Sequence, residues 1–250
     1  MKVATIAFYR NWTTRDKTTI SSKENFELLR DSIDDELTLN IIRNNQDIDL
    51  FAFTNCATLD KNLLNLIKNE LKPNQTVLIE LGLGLFNNID SNFGYDIITK
   101  YNISINPILE QFSSSENASS KLIMNFLDSL QTERLIQINN KKIGFIICGE
   151  IYSYKGGRPR YEELNYNIFD SIHVLINLGF SPYKRIHTVK DNNSSLSQKC
   201  KIAIFSTNYT NSVQKENISL AYKNGEIFNP SQENNQIYND KYQIKIYQIN

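Results

Sequence analysis

The sequence has little cysteine, histidine, glycine and proline, and it carries no excess of either charge. Among 250 residues, Lys and Arg number 27 and Asp and Glu also number 27, so the formal net charge at pH 7 is zero. A strongly basic nucleic-acid binder and an acidic tail protein are therefore not expected, and nucleic acid is not an expected partner.

The scarce metal- and disulfide-forming residues restrict the chemistry further. Cys56, Cys148 and Cys200 form no C-x-x-C pair, which argues against a disulfide framework and a zinc site. His173 and His187 are the only histidines, so we expect no metal and no cofactor. Free thiols favour a reducing compartment, and we expect a cytoplasmic protein.

Long hydrophobic runs are missing as well. No stretch approaches the ~18 apolar residues of a transmembrane helix, so no membrane partner is expected. The first residues, MKVATIAFYRN, contain too short an apolar run for a signal peptide and predict a first β-strand.

Short apolar runs alternate with segments of helical period, which predicts a layered α/β protein. Residues 59–71, 121–130 and 161–169 have helical patterns, whereas 153–160 and the polar segment 189–199 are predicted to be loops, the latter mobile. The many late strands favour two stacked sheets with helices outside over a simple Rossmann sheet. The predicted strands are 3–8, 48–53, 76–83, 95–99, 135–138, 142–147, 172–178, 201–205, 219–222 and 242–247.

The segment KKIGFIICGEIYSY, residues 141–154, contains the most informative pattern. An apolar strand delivers Cys148 to its carboxyl end, where α/β proteins present reacting groups. Gly149 follows and allows a tight turn whose N–H groups can stabilise an oxyanion. The alternative is that Cys148 is a small core residue, because free cysteine is among the most buried residue types.

Residues 143–150, Ile-Gly-Phe-Ile-Ile-Cys-Gly-Glu, resemble the nucleophile segment of the carbon–nitrogen hydrolase, or nitrilase, superfamily. Residues 1–8, 49–53 and 76–82 are similar to the first three strands of that family. The resemblance spans the chain, although only residues 141–150 are specific. It implies a single-domain, four-layer α-β-β-α sandwich over residues 1–250, a small amide or nitrile as substrate, and a homodimer.

The resemblance also implies a Glu–Lys–Cys triad. The cysteine attacks the substrate carbon, the glutamate serves as general base and then acid, and the lysine stabilises the oxyanion. Cys148 matches the nucleophile, and Glu150 is expected to organise the site. The base position is occupied by Asn55, which follows Phe53-Thr54 and cannot usefully accept a proton.

Other residues are candidates for the missing roles. Glu80, in TVLIELG, has a context similar to the family's glutamate segment and is the alternative base. Lys100 and Lys121 fall near the expected lysine window without its flanking pattern. For substrate binding, the Gly-bearing basic loop with Lys155 and Arg158 suits a carboxylate or phosphate; the remaining candidates are Gly149 and Tyr183.

Three readings follow from these residues. The first is a cysteine-dependent amidase or nitrilase with a thioester-type acyl intermediate. The second is a catalytically inactive protein of the same fold that binds a ligand or a partner. The third is an unrelated α/β protein in which Cys148 is structural.

A Cys–His pair with His173 is disfavoured, because His173 lies in an apolar segment and is expected to be a hydrogen-bonded core residue.

Overall fold

A computed structural model describes residues 1–10, 35–57, 61–81, 94–104, 108–109, 111, 119–155, 158–159, 167–179, 186–207, 209–210, 219–234 and 242–250. The sequence predicts a loop at 9–22, a polar turn at 86–95 and an irregular excursion at 102–120, and most of each segment lies outside these residues. Within the described part of the chain, no helix is long and apolar enough to cross a bilayer.

Two mixed sheets form the centre of the molecule. The first sheet has the order β15-β16-β1-β2-β3-β4-β5, with β12 paired to β1, and its β1, β2 and β3 are parallel. Its strands, numbered in chain order, are β1 (Lys2–Arg10), β2 (Leu50–Ala57), β3 (Thr76–Leu81), β4 (Gly94–Thr99), β5 (Ile108–Leu109), β12 (Tyr209–Thr210), β15 (Gln232–Asn234) and β16 (Tyr242–Gln248).

The second sheet has the order β14-β13-β11-β10-β7-β6, and its β7, β10 and β11 are parallel. A separate short pair, β8 and β9, follows the second sheet's β7 in the chain. These strands are β6 (Leu135–Ile138), β7 (Lys141–Ile147), β8 (Tyr154–Lys155), β9 (Arg158–Pro159), β10 (Val174–Gly179), β11 (Ile202–Thr207), β13 (Ser219–Lys223) and β14 (Glu226–Ile227).

Helices cover the outer face of each sheet. The first sheet packs against α1 (Asp35–Asn44) and α2 (Lys61–Glu70). The second packs against α3 (Ser120–Gln131), α4 (Asn167–Asp170) and α5 (Ile186–Ser197). A third apolar cluster lies between the two sheets. The predicted four-layer α-β-β-α sandwich is therefore confirmed.

Strand alternation decides which side chains reach the layer between the sheets. In β7, Phe145 and Ile147 belong to this inter-sheet layer, whereas Ile146 faces the helices of the outer layer. A strand buried on both faces needs apolar residues at every position, which is why residues 143–147 form a continuous apolar run.

The hairpin between β6 and β7 turns at Asn139-Asn140, a pair of residues that is typical of such turns in a sequence. Asn139 and Asn140 have φ of 48° and 61°, the left-handed conformation that a two-residue hairpin turn of this kind requires. Asparagine tolerates this conformation better than most residues do.

Two segments differ from the sequence prediction. Residues 153–160, predicted to be a loop, contribute the β8–β9 pair, in which Lys155 lies opposite Arg158. Residues 189–199, predicted to be polar and mobile, lie mostly in α5. Polar residues are buried there because the fold supplies hydrogen-bond partners: the Nδ2 of Asn192 donates to Ile151 O at 3.0 Å and to Tyr154 O at 2.7 Å.

Replacing Asn192 with Ala is expected to lower the free energy of unfolding by about 2 kcal/mol, because it leaves two buried carbonyls without their donor. Urea denaturation measures this loss. Asp191→Ala, at the neighbouring exposed position of the same helix, is the control and is expected to change the midpoint little. Equal midpoints for both variants would contradict the role assigned to Asn192.

Candidate functional site

The chain leaves the second sheet at the predicted nucleophile. β7 ends at Ile147, and residues Cys148–Ser153 form a 3₁₀ turn, which we call the nucleophile turn. Cys148 and Gly149 thus begin this turn at the carboxyl end of a parallel strand, as the sequence predicts. The side chain of Cys148 lies outside the described part of the structure.

Glu150 fixes the start of the nucleophile turn. Its side chain is fully buried, and each of its oxygens accepts two N–H bonds. Oε2 accepts from the backbone N–H of Ile147 at 2.8 Å and from Arg134 Nη1 at 2.5 Å. Oε1 accepts from the backbone N–H of Gln111 at 2.7 Å and from Arg134 Nη2 at 2.9 Å. With all four bonds directed at the backbone and Arg134, Glu150 holds the turn in place.

Arg134 is a central residue that the sequence analysis did not identify. Its guanidinium forms a two-pronged ion pair with Glu150, both side chains being fully buried. Nη2 also donates to Leu109 O at 2.7 Å, and the guanidinium carbon lies 5.3 Å from the centroid of the Phe126 ring. In the sequence Arg134 is a single arginine directly before a strand. A surface arginine often has the same position, so the sequence does not distinguish the two cases.

Glu80 lies at the carboxyl end of β3 and is fully buried. Leu78, two residues earlier, belongs to the inter-sheet layer, so alternation places Glu80 on the face that looks toward the second sheet. Its direct partner on β4 is Tyr95. The hydroxyl of Tyr95 donates to Leu178 O at 2.6 Å and lies 3.4 Å from Ile146 O, two residues before Cys148. The structure therefore brings Glu80 to the edge where β7 ends.

Asn55 lies on the strand next to Glu80. The β2–β3 register pairs Phe53 with Ile79 and then Ala57 with Leu81, so three residues of β2 stand opposite Glu80 alone. Such irregularities are over-represented beside active sites. The backbone thus places Asn55, at the base position that the resemblance implies, and Glu80 on neighbouring strands; the Asn55 side chain lies outside the described residues.

The remaining predicted site residues are not gathered at this edge by any described contact. Lys121 is exposed in the first turn of α3, and Lys100 donates to Asn69 O at 2.8 Å, next to α2. The side chains of Lys155 and Arg158 lie outside the described residues, as does Tyr183 altogether. The oxyanion and substrate-binding roles of these residues stay predictions.

His173 lies far from the predicted nucleophile. Its Nδ1 accepts from the backbone N–H of Lys142 at 3.2 Å, and it is half-buried before β10 rather than in the core. Desolvation, with neighbouring lysines, lowers the pKa of His173. Cys148 lies six positions beyond Lys142 along the strand, and at about 3.3 Å per position the two are roughly 20 Å apart. A Cys148–His173 pair is therefore excluded.

Among the described residues, no three His, Cys, Asp or Glu side chains cluster to hold a metal.

Cys200 is a free cysteine in a buried environment. Its thiol is fully buried and donates to Leu196 O at 3.2 Å. Burial raises the pKa of the Cys200 thiol to about 12, so it stays protonated and unreactive in the folded protein. It provides an internal reference for thiol reactivity.

Breaking the buried ion pair is expected to be costly. Glu150→Gln and Arg134→Met each leave the partner group buried without its counter-charge, and we expect a loss of about 3–5 kcal/mol in the free energy of unfolding. Chemical denaturation measures it. The Arg134→Met/Glu150→Gln double variant removes both charges and is expected to be more stable than either single variant; additive losses would contradict the ion-pair description.

An exposed ion pair offers a matched control. Arg43 and Glu70 are joined at 2.6 Å between α1 and α2, and both are partly solvent-exposed. Arg43→Met is expected to leave the denaturation midpoint nearly unchanged, since solvent screens such pairs.

No protein-family model and no curated protein matches the sequence. Solved structures do match in fold. The glutamine-dependent NAD(+) synthetase of Cytophaga hutchinsonii superposes over 100% of this chain with a TM-score of 0.57 and 11% identity, and the chain spans 43% of that protein's length. XC1258 of Xanthomonas campestris, a CN-hydrolase superfamily protein, matches over 100% of this chain and 90% of its own, with a TM-score of 0.55 and 9% identity.

Saccharomyces cerevisiae Nit3, a member of branch 10 of the nitrilase superfamily, gives a TM-score of 0.56 at 10% identity, covering 100% of this chain and 90% of Nit3. At these identities the likeness concerns the fold alone. The chain therefore has the fold of the carbon–nitrogen hydrolase, or nitrilase, superfamily.

Proposed function

We propose that this chain, as one carbon–nitrogen hydrolase-like domain over residues 1–250, cleaves a small amide or nitrile through Cys148, with Glu80 as the general base. One observation carries the proposal: a fully buried glutamate lies at the carboxyl end of β3, on the face toward the second sheet. Its cross-strand partner Tyr95 contacts the end of the strand that leads to Cys148.

In this proposal the base is Glu80 on β3, one strand away from Asn55 on β2, where the resemblance implies a glutamate. A thiol near its ordinary pKa is mostly protonated at neutral pH, so Cys148 needs a proton acceptor. Asn55 cannot serve, but the irregular β2–β3 register sets Glu80 opposite the segment that contains it. Glu150 is not the acceptor in this scheme, because its two oxygens are bonded to Arg134 and to backbone N–H groups.

The reaction balances with these groups and water. For an amide, the Cys148 sulfur attacks the carbonyl carbon while Glu80 takes the thiol proton. The C–N bond then breaks, the proton passes from Glu80 to the leaving ammonia, and a thioester remains. Water attacks the thioester with Glu80 as base, the C–S bond breaks, and the sulfur recovers a proton as the acid leaves. The backbone N–H groups of Gly149 and its neighbours, and Lys121, are candidates for stabilising the oxyanion.

Substrate contacts are assigned to the turn and the basic hairpin that follows it. Gly149 allows close approach of the backbone, and Lys155, Arg158 and Tyr183 supply positive charge and a hydroxyl for a polar or anionic substrate group. These substrate contacts do not depend on which residue serves as the general base.

The test begins with thiol reactivity, since the substrate is unidentified. Iodoacetamide is expected to label Cys148 well before Cys200, and Glu80→Gln is expected to slow Cys148 labelling near pH 7 by about tenfold or more, because the thiolate loses its proton acceptor. Peptide mapping separates the two cysteines. Glu226→Gln, an exposed glutamate on β14, is the matched control.

Activity is measured as ammonia release from a panel of short aliphatic and aromatic amides and nitriles. Release that disappears in Cys148→Ala and falls at least about 100-fold in Glu80→Gln supports the proposal. Equal labelling of Cys148 in the wild type and Glu80→Gln, with no ammonia from any compound, overturns it.

A second function is favoured by a separate observation. Asn55 replaces the base expected from the resemblance, and the candidate lysines Lys100 and Lys121 lie at the surface. These features suit a catalytically inactive protein that binds an amide-like ligand or a partner. Slow Cys148 labelling together with ligand-induced thermal stabilisation by one of the panel compounds supports this second function.

A further inference from the structure

The hydroxyl of Tyr95 occupies the point where β7 and β10 separate. It donates to Leu178 O at 2.6 Å, accepts from Leu178 N–H at 3.1 Å, and lies 3.4 Å from Ile146 O. Tyr95 belongs to the first sheet and the other two residues to the second. A single buried hydroxyl therefore contacts the backbone of two parallel strands in the opposite sheet.

The direction of the backbone groups in β7 explains why this position matters. The N–H of Phe145 points to Arg134 O, on the side of β6, and the N–H of Ile147 points to Glu150. The N–H and C=O groups of Ile146, and of Cys148 if the strand continued, therefore face β10. Since Leu178 pairs with Ile147, the last step of the parallel ladder sets Leu178 N–H against Ile146 O and Leu178 O against the N–H of Cys148.

The Tyr95 hydroxyl also bonds to the carbonyl and the N–H of Leu178. It braces this last step of the ladder, directly before the chain turns out of the sheet into the nucleophile turn. The ring is fixed independently of the hydroxyl, because it packs edge-on against Phe145 at 5.5 Å with an interplanar angle of 77°. Glu80, directly across the β3–β4 pair, shares the face of Tyr95.

We propose that Tyr95 is a positioning residue for the reaction: by bracing the last step of the β7–β10 ladder it fixes the point where the Cys148 backbone leaves the sheet and so sets the nucleophile against Glu80. This inference depends on the proposed function, since it assigns a role relative to Cys148 and Glu80. It adds a group outside the Glu–Lys–Cys triad, and one that acts through the backbone rather than by touching the substrate.

The decisive variant is Tyr95→Phe, which keeps the ring and removes the hydroxyl. We measure iodoacetamide labelling of Cys148 and Cys200 from about pH 6 to pH 10, a range that brackets the ordinary cysteine pKa. The expected result is a loss of about tenfold or more in the Cys148 rate near pH 7, with its pH profile moved to higher pH, because small displacements from a reactive geometry are expensive. Tyr222→Phe, on β13, is the control.

Cys200 separates positioning from loosening of the fold. Its buried thiol becomes reactive only when the structure opens, so an unchanged Cys200 rate in Tyr95→Phe supports positioning. If Cys148 and Cys200 both react faster, Tyr95 is a structural residue and the proposal is wrong. It is also wrong if the Cys148 profile coincides with that of the wild type.

The same measurements separate this inference from the proposed function. A Cys148 rate that falls in Glu80→Gln but not in Tyr95→Phe overturns the role of Tyr95 alone. Wild-type Cys148 that reacts no faster than Cys200, with no effect of Glu80→Gln, overturns the proposed function and the role of Tyr95 with it.

Discussion

The buried ion pair between Arg134 and Glu150 is the interaction on which the candidate site depends. It joins three separate parts of the chain: the segment at Leu109 and Gln111, the junction between α3 and β6, and the nucleophile turn. Burying two charges is costly unless hydrogen bonds compensate for the lost water, and here the planar arginine fork matches both carboxylate oxygens. The turn after β7 therefore has little freedom, since moving it would break several bonds to buried charge.

The layered architecture supplies the second constraint. Stacking the sheets brings the carboxyl ends of β3, β7 and β10 to one edge, where Tyr95 spans from one sheet to the other. Glu80 and the start of the nucleophile turn share this edge although 68 positions separate them in the sequence. The ion pair fixes the outer side of the turn, and Tyr95 fixes the side toward the inter-sheet layer. Together they fix both sides of the nucleophile turn.

Much of the fold follows from the sequence because buried strands require continuous apolar runs. This signal identifies β2, β7, β10 and β11, and Asn139-Asn140 marks the hairpin turn. Sequence patterns do not identify α5, where the polar residues Asn192, Asn193 and Ser197 are buried. The composition of this segment does not show that Asn192 will donate hydrogen bonds to carbonyls of the nucleophile turn and β8. Sequence patterns also fail for Arg134, for the same reason: a lone arginine is read as a surface residue until its carboxylate partner is placed beside it.

The sequence by itself determined the alternation of helices and strands, the position of Cys148 at a strand end and the absence of glutamate at residue 55. These properties depend on neighbours in the chain, through side-chain periodicity and turn preferences. Only the tertiary structure decided which acid shares the edge where β7 ends, which residue anchors the turn and how Tyr95 braces the ladder between β7 and β10. Such relations arise between residues distant in sequence, and they exist only once stacking of the sheets has excluded water from the space between them.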